Sequence, residues 1–214
     1  MDDVLDIASE LWNASQGGLR GLEVEFRLGH TVGDTFLAQV KKETFDAIRA
    51  RVESLPVTRK VDIHTSERLH NGIRHITTIS VREDGEDNPP PPLVCMRKTK
   101  SYTGNVGVHD CPYEIRCSIA REEIMSTPPP TPSDVCLVRQ KQRTRYLVDK
   151  WAYDLTVVTT NSDDEETYEV ELELYDVSAL FRVPMDVLAC DGLARVHGLL
   201  RPPRPATNDD HHTL

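Results

Sequence analysis

The residues with the clearest capacity for chemistry are acidic side chains that alternate along two short segments. Glu169, Glu171 and Glu173 alternate with apolar residues, so they share one face of a predicted β-strand. Far upstream, Glu23 and Glu25 alternate in the same way. Neighbouring carboxylates repel one another unless cations lie opposite them, and oxygen-only ligands suit Mg²⁺ or Mn²⁺ rather than zinc. If the two strands pair in space, they form a site for a hard cation.

A third segment repeats the same period with the opposite charge. Its four cations are Arg139, Lys141, Arg143 and Arg145. Arg donates paired hydrogen bonds to phosphate oxygens and Lys supplies a point charge, so this face matches a triphosphate. A metal ion held by the carboxylates would neutralise the same phosphates from the far side and act as a Lewis acid for attack by water.

Strands that can position these faces make up most of the chain. Beside the two acidic strands, runs at residues 60–65, 73–82, 93–100, 113–122, 135–146 and 151–160 have strand character, and most have one polar and one apolar face. On the first of these runs the polar face carries Lys60, Asp62 and His64. Predicted breaks lie at residues 71–72, 84–92, 103–105, 128–132 and 161–166.

Two arrangements accommodate strands of this kind. In a sandwich, the apolar faces meet in a core and every charge points to water. In a closed barrel, the charges line a polar lumen and helices cover the apolar outside. Complete sets of opposite charge favour the barrel, so we predict a mainly β fold with flanking helices, a closed eight-stranded antiparallel β-barrel that forms a polar triphosphate tunnel.

Two amphipathic segments supply covering helices. Residues 2–12 have apolar side chains at helical spacing behind an acidic start. A second helix is predicted to be capped by Thr44, to bury Phe45, Ile48 and Val52, and to end before Pro56. Both are packing elements without chemistry of their own.

Length, charge and cysteine content restrict the possible function. The 214 residues fit a single domain with its core at about residues 20–180, and residues 205–214 are expected to be disordered. A formal net charge of −10 argues against a general nucleic-acid coat. Five cysteines without a C-x-x-C pair fit neither a disulfide framework nor a zinc site. The acidic N-terminus and the lack of a long apolar run predict an intracellular protein that does not enter membranes.

Four motifs in order resemble a known family. They are Leu22-Glu-Val-Glu-Phe-Arg-Leu-Gly29, Arg139-x-Lys141-x-Arg143, Trp151-x-x-Asp154-Leu-Thr156 and Glu169-x-Glu171-x-Glu173. Together they resemble the metal-dependent RNA 5′-triphosphatases of fungal, protozoal and large-virus mRNA capping, which are triphosphate tunnel metalloenzymes. The resemblance implies hydrolysis of the γ-phosphate of 5′-triphosphate RNA to a 5′-diphosphate end, the first step of mRNA capping, with Mn²⁺-dependent NTP hydrolysis as a side activity.

The same resemblance implies roles for individual residues. Direct metal ligands would be Glu23, Glu25 and Glu173, and Glu171 and Asp154 would bind metal-bound waters. Substrate-binding residues would be Arg74, Lys98, Arg116, Arg139, Lys141 and Arg143, of which Arg74, Lys141 and Arg143 contact the γ-phosphate. Glu122 would orient the attacking water, with Glu123 as the competing choice. Supporting residues would be Glu169, Thr156 and Asp62.

Cofactor and partner expectations follow from the resemblance. The cofactor would be Mg²⁺ or Mn²⁺, and the substrates would be the 5′-triphosphate end of RNA and NTPs. Because no Lys-x-Asp-Gly motif for nucleotidyl transfer is present, a separate guanylyltransferase is expected. The lack of an evident dimerisation segment favours a monomer over a homodimer.

Two other functions remain compatible with the sequence. Another tunnel phosphohydrolase would act on inorganic tripolyphosphate or thiamine triphosphate, but its first acidic motif usually lies at the extreme N-terminus and ends in Lys, where this chain has Arg27. A non-catalytic polyanion-binding barrel that lacks one ligand would have nearly the same pattern.

Overall fold

The computed structural model describes residues 2–70, 72–126 and 137–201, which form ten strands, three α-helices and a short 3₁₀ helix at Val177–Phe181. The helices are α1 (Asp2–Gln16), α2 (Lys42–Glu53) and α3 (Met185–Leu200). The strands are β1 (Leu22–Val32), β2 (Thr35–Leu37), β3 (Arg59–His70), β4 (Ile73–Glu83), β5 (Glu86–Asn88), β6 (Val94–Gly107), β7 (Glu114–Ile124), β8 (Leu137–Val148), β9 (Trp151–Thr160) and β10 (Asp163–Leu174).

Eight of the ten strands in the described ranges close into an antiparallel barrel. Its order is β1-β7-β6-β4-β3-β8-β9-β10, and β10 returns to β1 with Glu25 opposite Glu173 and Arg27 opposite Glu171. The short strands β2 and β5 extend β1 and β4 outside this ring. Each of the eight barrel strands is therefore paired on both sides over at least part of its length. The prediction of a mainly β, closed eight-stranded barrel is confirmed.

The apolar core lies outside the barrel, between its outer face and the helices. Buried residues on the strands include Val24, Phe26, Leu28, Ile115, Cys117, Ile119, Trp151, Tyr153, Val170, Leu172 and Leu174. Their partners on the helices include Ile7, Leu11, Phe45, Ile48, Val52, Leu188, Ala189, Val196 and Leu199. Because strand side chains alternate between faces, an apolar outside leaves the inward positions free to be polar. The sandwich alternative is therefore excluded.

Helix α3 has no counterpart among the elements predicted from sequence. Two internal glycines, Gly192 and Gly198, lower its intrinsic helix propensity, so its stability depends on tertiary contacts. Asp191 provides one such contact: it accepts a hydrogen bond of 2.8 Å from Trp151 Nε1 and ion pairs from Lys150 and Arg195. The helix also buries Leu188 and Val196 in the core.

Several predicted boundaries are wrong. The residue that caps α2 is Lys41, and Thr44 lies in the first turn, where its Oγ1 is 3.3 Å from the Tyr113 hydroxyl. The break expected at residues 103–105 lies inside β6, and most of the break expected at 161–166 lies inside β10. Pairing with β7 keeps residues 103–105 extended, and a register irregularity lies between Asp163 and Thr167 of β10. The loop predicted at 128–132 lies outside the described residues.

Domain organisation stays a prediction, and the expected disorder of residues 205–214 concerns residues outside the described ranges. Among the helices of residues 2–70, 72–126 and 137–201, none has the length and apolarity needed to cross a membrane.

The contact of α3 with the barrel can be tested at Gly192. A Cβ there would lie 2.5 Å from Cε2 of Phe26 and 3.0 Å from Cη2 of Trp151, both rigid and buried. Gly192→Ala should therefore lower the free energy of unfolding by about 1–3 kcal/mol through overpacking. In the same helix, Gly198→Ala enters open space and should leave stability unchanged or raise it by up to about 1 kcal/mol. Equal denaturant midpoints for the two variants would contradict this packing.

Candidate active site

The inward faces of the strands bring the two acidic segments together, as predicted. Register places Glu25 of β1 beside Glu173 of β10, and Arg27 beside Glu171. Lys98 of β6 reaches the same group: its Nζ contacts Glu23 and lies 3.0 Å from Oε1 of Glu25.

The carboxylate cluster is only partly neutralised. Burial, followed by repulsion from Glu25, raises the pKa of Glu23 to about 7 even though Lys98 acts in the other direction. Burial also raises the pKa of Glu173. Arg145 lowers this pKa, and the negative charge of Asp154 raises it. A further positive charge at this end of the lumen would therefore be favourable.

Arg27 links the two acidic strands inside the lumen. Its Nη2 lies 3.0 Å from Oε2 of Glu25 and 2.8 Å from Oε1 of Glu171. Burial opposes ionisation of Glu171, but Arg27, Arg143 and Lys141 outweigh it and lower the pKa of Glu171 to about 2. Glu171 is therefore ionised at any physiological pH.

A second set of pairs joins β8, β9 and β10. Arg145 donates two hydrogen bonds to Asp154, from Nε at 2.8 Å and Nη2 at 2.6 Å, and also bonds Glu173. Arg143 lies 3.2 Å from Oδ2 of Asp154 and 3.9 Å from Oε2 of Glu171. The predicted metal-binding and phosphate-binding residues therefore share one network.

The remaining cations of β8 have their own carboxylate partners. Arg139 bonds Oε1 of Glu169, and Nζ of Lys141 lies 3.1 Å from Oε2 of Glu67. Burial lowers the pKa of Lys141 against the effect of Glu169 and Glu67, and the pKa of Glu67 is held low because Lys141 outweighs the cost of burial. Arg74 lies opposite Leu69, which shares a face of β3 with Glu67, so it too faces this part of the lumen. It contributes to the low pKa of Glu67.

Two further predicted site residues, Thr156 and Arg116, lie on the inner face outside the network of ion pairs. Thr156 is fully buried opposite Arg143 and Glu169, and its Oγ1 has no hydrogen-bond partner among the described residues. Arg116 stands apart from the cluster, because it donates a 2.7 Å hydrogen bond to Asn105 and stacks 4.0 Å from the centre of the Phe36 ring.

The choice between the two candidate water-orienting residues follows from register. Glu122 lies opposite Lys98 and close enough to Glu23 to raise its pKa. Glu123 lies opposite Arg97, on the other face of β7, and is exposed. Alternation along a strand places only one of two consecutive residues on the inner face. Glu122 is that residue.

The placement of Asp62 is a correction to the predicted site. Val61, Ile63, Thr65 and Glu67 lie opposite Arg145, Arg143, Lys141 and Arg139, so the odd-numbered residues of β3 face inward. Asp62 points outward, where it accepts a 2.7 Å hydrogen bond from Thr144. Side chains alternate along a strand, so a register that differs by one residue puts the other face inward. In β3 the polar face of residues 60–64 therefore points to solvent rather than into the lumen.

The individual roles assigned from sequence left out Glu67, Arg27, Arg145 and Lys100, although Arg145 was counted among the four cations of the face that matches a triphosphate. Arg27 and Arg145 continue the alternation of charged residues in their own strands, so the sequence pattern already placed them on the inward faces. Lys100 follows Lys98 at the same period, and burial lowers its pKa beside Arg27. Glu67 lies beyond the predicted end of its strand, so the missing information was the length of β3.

The donor set fits a hard divalent cation. Oε2 of Glu23 and Oε1 of Glu171 are buried, and their partners are the cations Lys98 and Arg27. Within residues 2–70, 72–126 and 137–201, no group of three or more His, Cys, Asp or Glu side chains is already arranged to hold a metal ion. Lys98, Arg27 and Arg145 lie between the carboxylates instead. Carboxylate oxygens suit Mg²⁺ or Mn²⁺, and a bound ion would take the place of these cationic side chains beside them.

Comparison with known proteins agrees with this architecture. Residues 63–184, more than half of the chain, match the family described as mRNA capping enzyme, beta chain. The chain is 26% identical over 185 residues to the 5′RNA triphosphatase A449R of Paramecium bursaria Chlorella virus 1, covering 85% of this chain and 89% of the relative.

Solved structures share the fold. The S. pombe Pct1 RNA triphosphatase superposes with a TM-score of 0.75 at 17% identity, covering 93% of this chain and 92% of that chain. The mimivirus capping enzyme triphosphatase gives a TM-score of 0.57 at 12% identity, covering 92% of this chain and 96% of that one.

A closed antiparallel barrel whose lumen holds matched carboxylates and cations defines a triphosphate tunnel. The chain belongs to the mRNA capping enzyme beta chain family, the RNA 5′-triphosphatases of capping, which are metal-dependent phosphohydrolases.

The pair of Lys141 and Glu67 provides a test of the lumen. In Glu67→Gln, the Lys141 ammonium loses its nearest anion and moves, so kcat/KM for phosphate release should fall by about 10–100-fold, as for other partners that orient a binding side chain. Asp62→Asn, on the outer face of the same strand, should retain full activity. Equal activity of the two variants would contradict the inward placement of Glu67.

Proposed function

We propose that this chain hydrolyses the γ-phosphate of 5′-triphosphate RNA inside its barrel, with Mg²⁺ or Mn²⁺, and leaves a 5′-diphosphate end for capping. The observation that carries the proposal is the closure of β1 on β10, which places Glu25 beside Glu173 in a lumen that also holds the cations of β8. A triphosphate and a divalent cation have complementary partners in that space.

The proposed metal site uses the carboxylates of β1 and β10. Glu23, Glu25 and Glu173 would hold the ion directly, and Glu171 and Asp154 would accept hydrogen bonds from its water ligands. When bound, the ion supplies Lewis-acid polarisation of the phosphoryl group and neutralises charge on its oxygens.

Phosphate binding uses cations that carboxylates already orient. Arg143, fixed by Asp154, and Lys141, fixed by Glu67, point into the lumen from β8. Arg74 adds a third cation from β4, Lys98 a fourth from β6, and Arg139 is held by Glu169. Phosphate oxygens exchange with carboxylate oxygens as acceptors, so the arginine and lysine donors remain satisfied throughout. Arg116, at the Phe36 side of the barrel, would contact substrate outside the γ-phosphate position.

Glu122 is the proposed residue that orients water. Its carboxylate oxygen would accept a hydrogen bond from the attacking water and align it with the γ-phosphorus. The closed barrel holds this water and the phosphate in a fixed relation, which lowers the entropic part of the barrier.

The proposal also includes the partners expected from sequence. The diphosphate product would be passed to a separate guanylyltransferase, and the chain would act as a monomer. NTPs would be hydrolysed with Mn²⁺ because they carry the same triphosphate. A direct comparison with inorganic tripolyphosphate and thiamine triphosphate tests the preference for triphosphate RNA.

Metal dependence and the acidic strands can be tested together. Phosphate release from triphosphate-ended RNA should stop in excess chelator and return with Mg²⁺ or Mn²⁺. Glu173→Ala should lower kcat by about 100-fold or more, because it removes a metal ligand. The matched control is Glu166→Ala, an exposed residue of the same strand.

The results test two statements separately: that β10 holds a metal ion, and that RNA is the preferred substrate. Near-normal turnover of Glu173→Ala in Mn²⁺ would contradict a metal site on β10. Faster hydrolysis of tripolyphosphate than of triphosphate RNA would assign the tunnel to the alternative substrate class.

Arg143 provides a second test, of geometry rather than charge. Its guanidinium is positioned by Asp154 and presents a planar fork that Lys cannot reproduce. Arg143→Lys should therefore lose nearly as much kcat/KM as Arg143→Ala, on the order of 100-fold. Full activity of the Lys variant in the same phosphate-release assay would show that Arg143 supplies charge alone.

A further inference from the structure

The residue next to Glu122 holds the C-terminal end of α1. Arg121 lies on the opposite face of β7 from Glu122 and points out of the barrel. Its Nη2 donates hydrogen bonds of 2.8 Å to the carbonyls of Ala14 and Gly18, and its Nη1 donates one of 3.1 Å to that of Arg20. The Ala14 carbonyl lies in the last turn of α1, where a cation is favourable.

The backbone of Glu122 takes part in the same junction. Its N–H donates a 2.7 Å hydrogen bond to the carbonyl of Gly21. Gly21 has a φ of +66°, and a Cβ there would lie 2.2 Å from the carbonyl oxygen of Glu122. Only glycine permits both this conformation and this close approach. The connection from α1 to β1 is therefore fastened directly to the main chain of Glu122.

The main chain of Glu122 is held from both sides. On one side Glu122 pairs with Lys98 of β6, and on the other its N–H donates to Gly21 in the junction with α1. Arg121, on the outer face, lies in the wall of a groove of about 1030 Å³ lined by α1, β6 and β7. The direction in which the Glu122 side chain leaves the strand depends on this backbone, and the junction with α1 fixes it on one side.

We propose that Arg121 and Gly21 are positioning residues for Glu122: by locking the end of α1 and the following turn against β7, they hold the Glu122 carboxylate where it orients water. This inference rests on the role proposed above for Glu122. Helix α1 thereby contributes to catalysis through a contact that touches neither substrate nor metal.

A double-mutant cycle tests this coupling. Phosphate release from triphosphate RNA is measured for wild type, Arg121→Ala, Glu122→Gln and the double variant. Arg121→Ala should lower kcat by about 10–100-fold, as expected for a small misplacement of a catalytic group, with KM and the Mn²⁺ requirement unchanged. In the Glu122→Gln background, the same substitution should cause no further loss of kcat, because the carboxylate it positions is already absent.

Two further variants keep the test decisive. Arg20→Ala removes a neighbouring arginine side chain but leaves the carbonyl that Arg121 contacts, so it should behave like wild type. If Arg121→Ala melts below the assay temperature, Gly17→Ala replaces it, since its Cβ would lie 2.6 Å from Nη2 of Arg121 and displace the guanidinium.

The possible results distinguish two failures. An equal loss of kcat from Arg121→Ala in both backgrounds, or unchanged kcat in the wild-type background, overturns the positioning role and leaves the proposed function intact. Wild-type kcat in Glu122→Gln overturns the proposed role of Glu122 and the coupling with it.

Discussion

Charge compensation inside a closed ring is the constraint on which this structure depends. Carboxylates and cations from β1, β3, β6, β8, β9 and β10 pair within the lumen, and each pair fixes the position of its members. Buried ion pairs are weak sources of net stability because desolvation offsets their attraction, so stability alone does not account for so many. Breaking one pair would leave a buried charge uncompensated. The network is best understood as an array of oriented donors and acceptors that a metal triphosphate can enter by exchanging partners.

The inside-out distribution of residues follows from that lumen. With the interior of the barrel committed to charge, the apolar core has to lie between the strands and the helices, where Phe26 packs edge-to-face on Trp151 at 5.8 Å. The helices contact β1, β6, β7, β9 and β10. The outward face of β3, by contrast, carries exposed Lys60 and Asp62. The helices that cover the barrel therefore also hold its strands in position, as the hydrogen bonds between β7 and the end of α1 illustrate.

Much of this arrangement could be predicted from sequence, because β8 and β10 alternate without interruption and their inward faces have a single charge. The same alternation did not predict the inward face of β3. Polar residues occur on both faces of this strand, and its register with β4 is irregular between His64 and Thr65. Register depends on pairing with β8, and no local signal at residues 60–65 reports it. Glu67 was missed because the predicted strand ended at residue 65, two residues before it.

Long-range contacts explain the other differences. Helix α3 is stabilised by the contact of Trp151 with Asp191 rather than by its own helix propensity. Its two glycines lower that propensity, so the sequence pattern did not predict a helix there. Residues 103–105 have turn composition yet remain extended because β7 pairs with them throughout. Sequence alone could not decide between Glu122 and Glu123, since the decision depends on which residue of β6 lies opposite. Alternating charge thus identifies the strands that line the tunnel, and pairing determines which side chains enter it.

Direct measurement of Mn²⁺ binding tests the central claim, that the carboxylates of β1 and β10 form one cation site. Free Mn²⁺ is quantified by its paramagnetic resonance signal during titration of wild type, Glu25→Gln, Glu173→Gln and the exposed control Glu166→Gln. Saturable binding is expected for wild type and for the control, with at least about tenfold weaker binding to each of the two lumen variants. Equal Mn²⁺ affinity in all four proteins would contradict a cation site shared by β1 and β10.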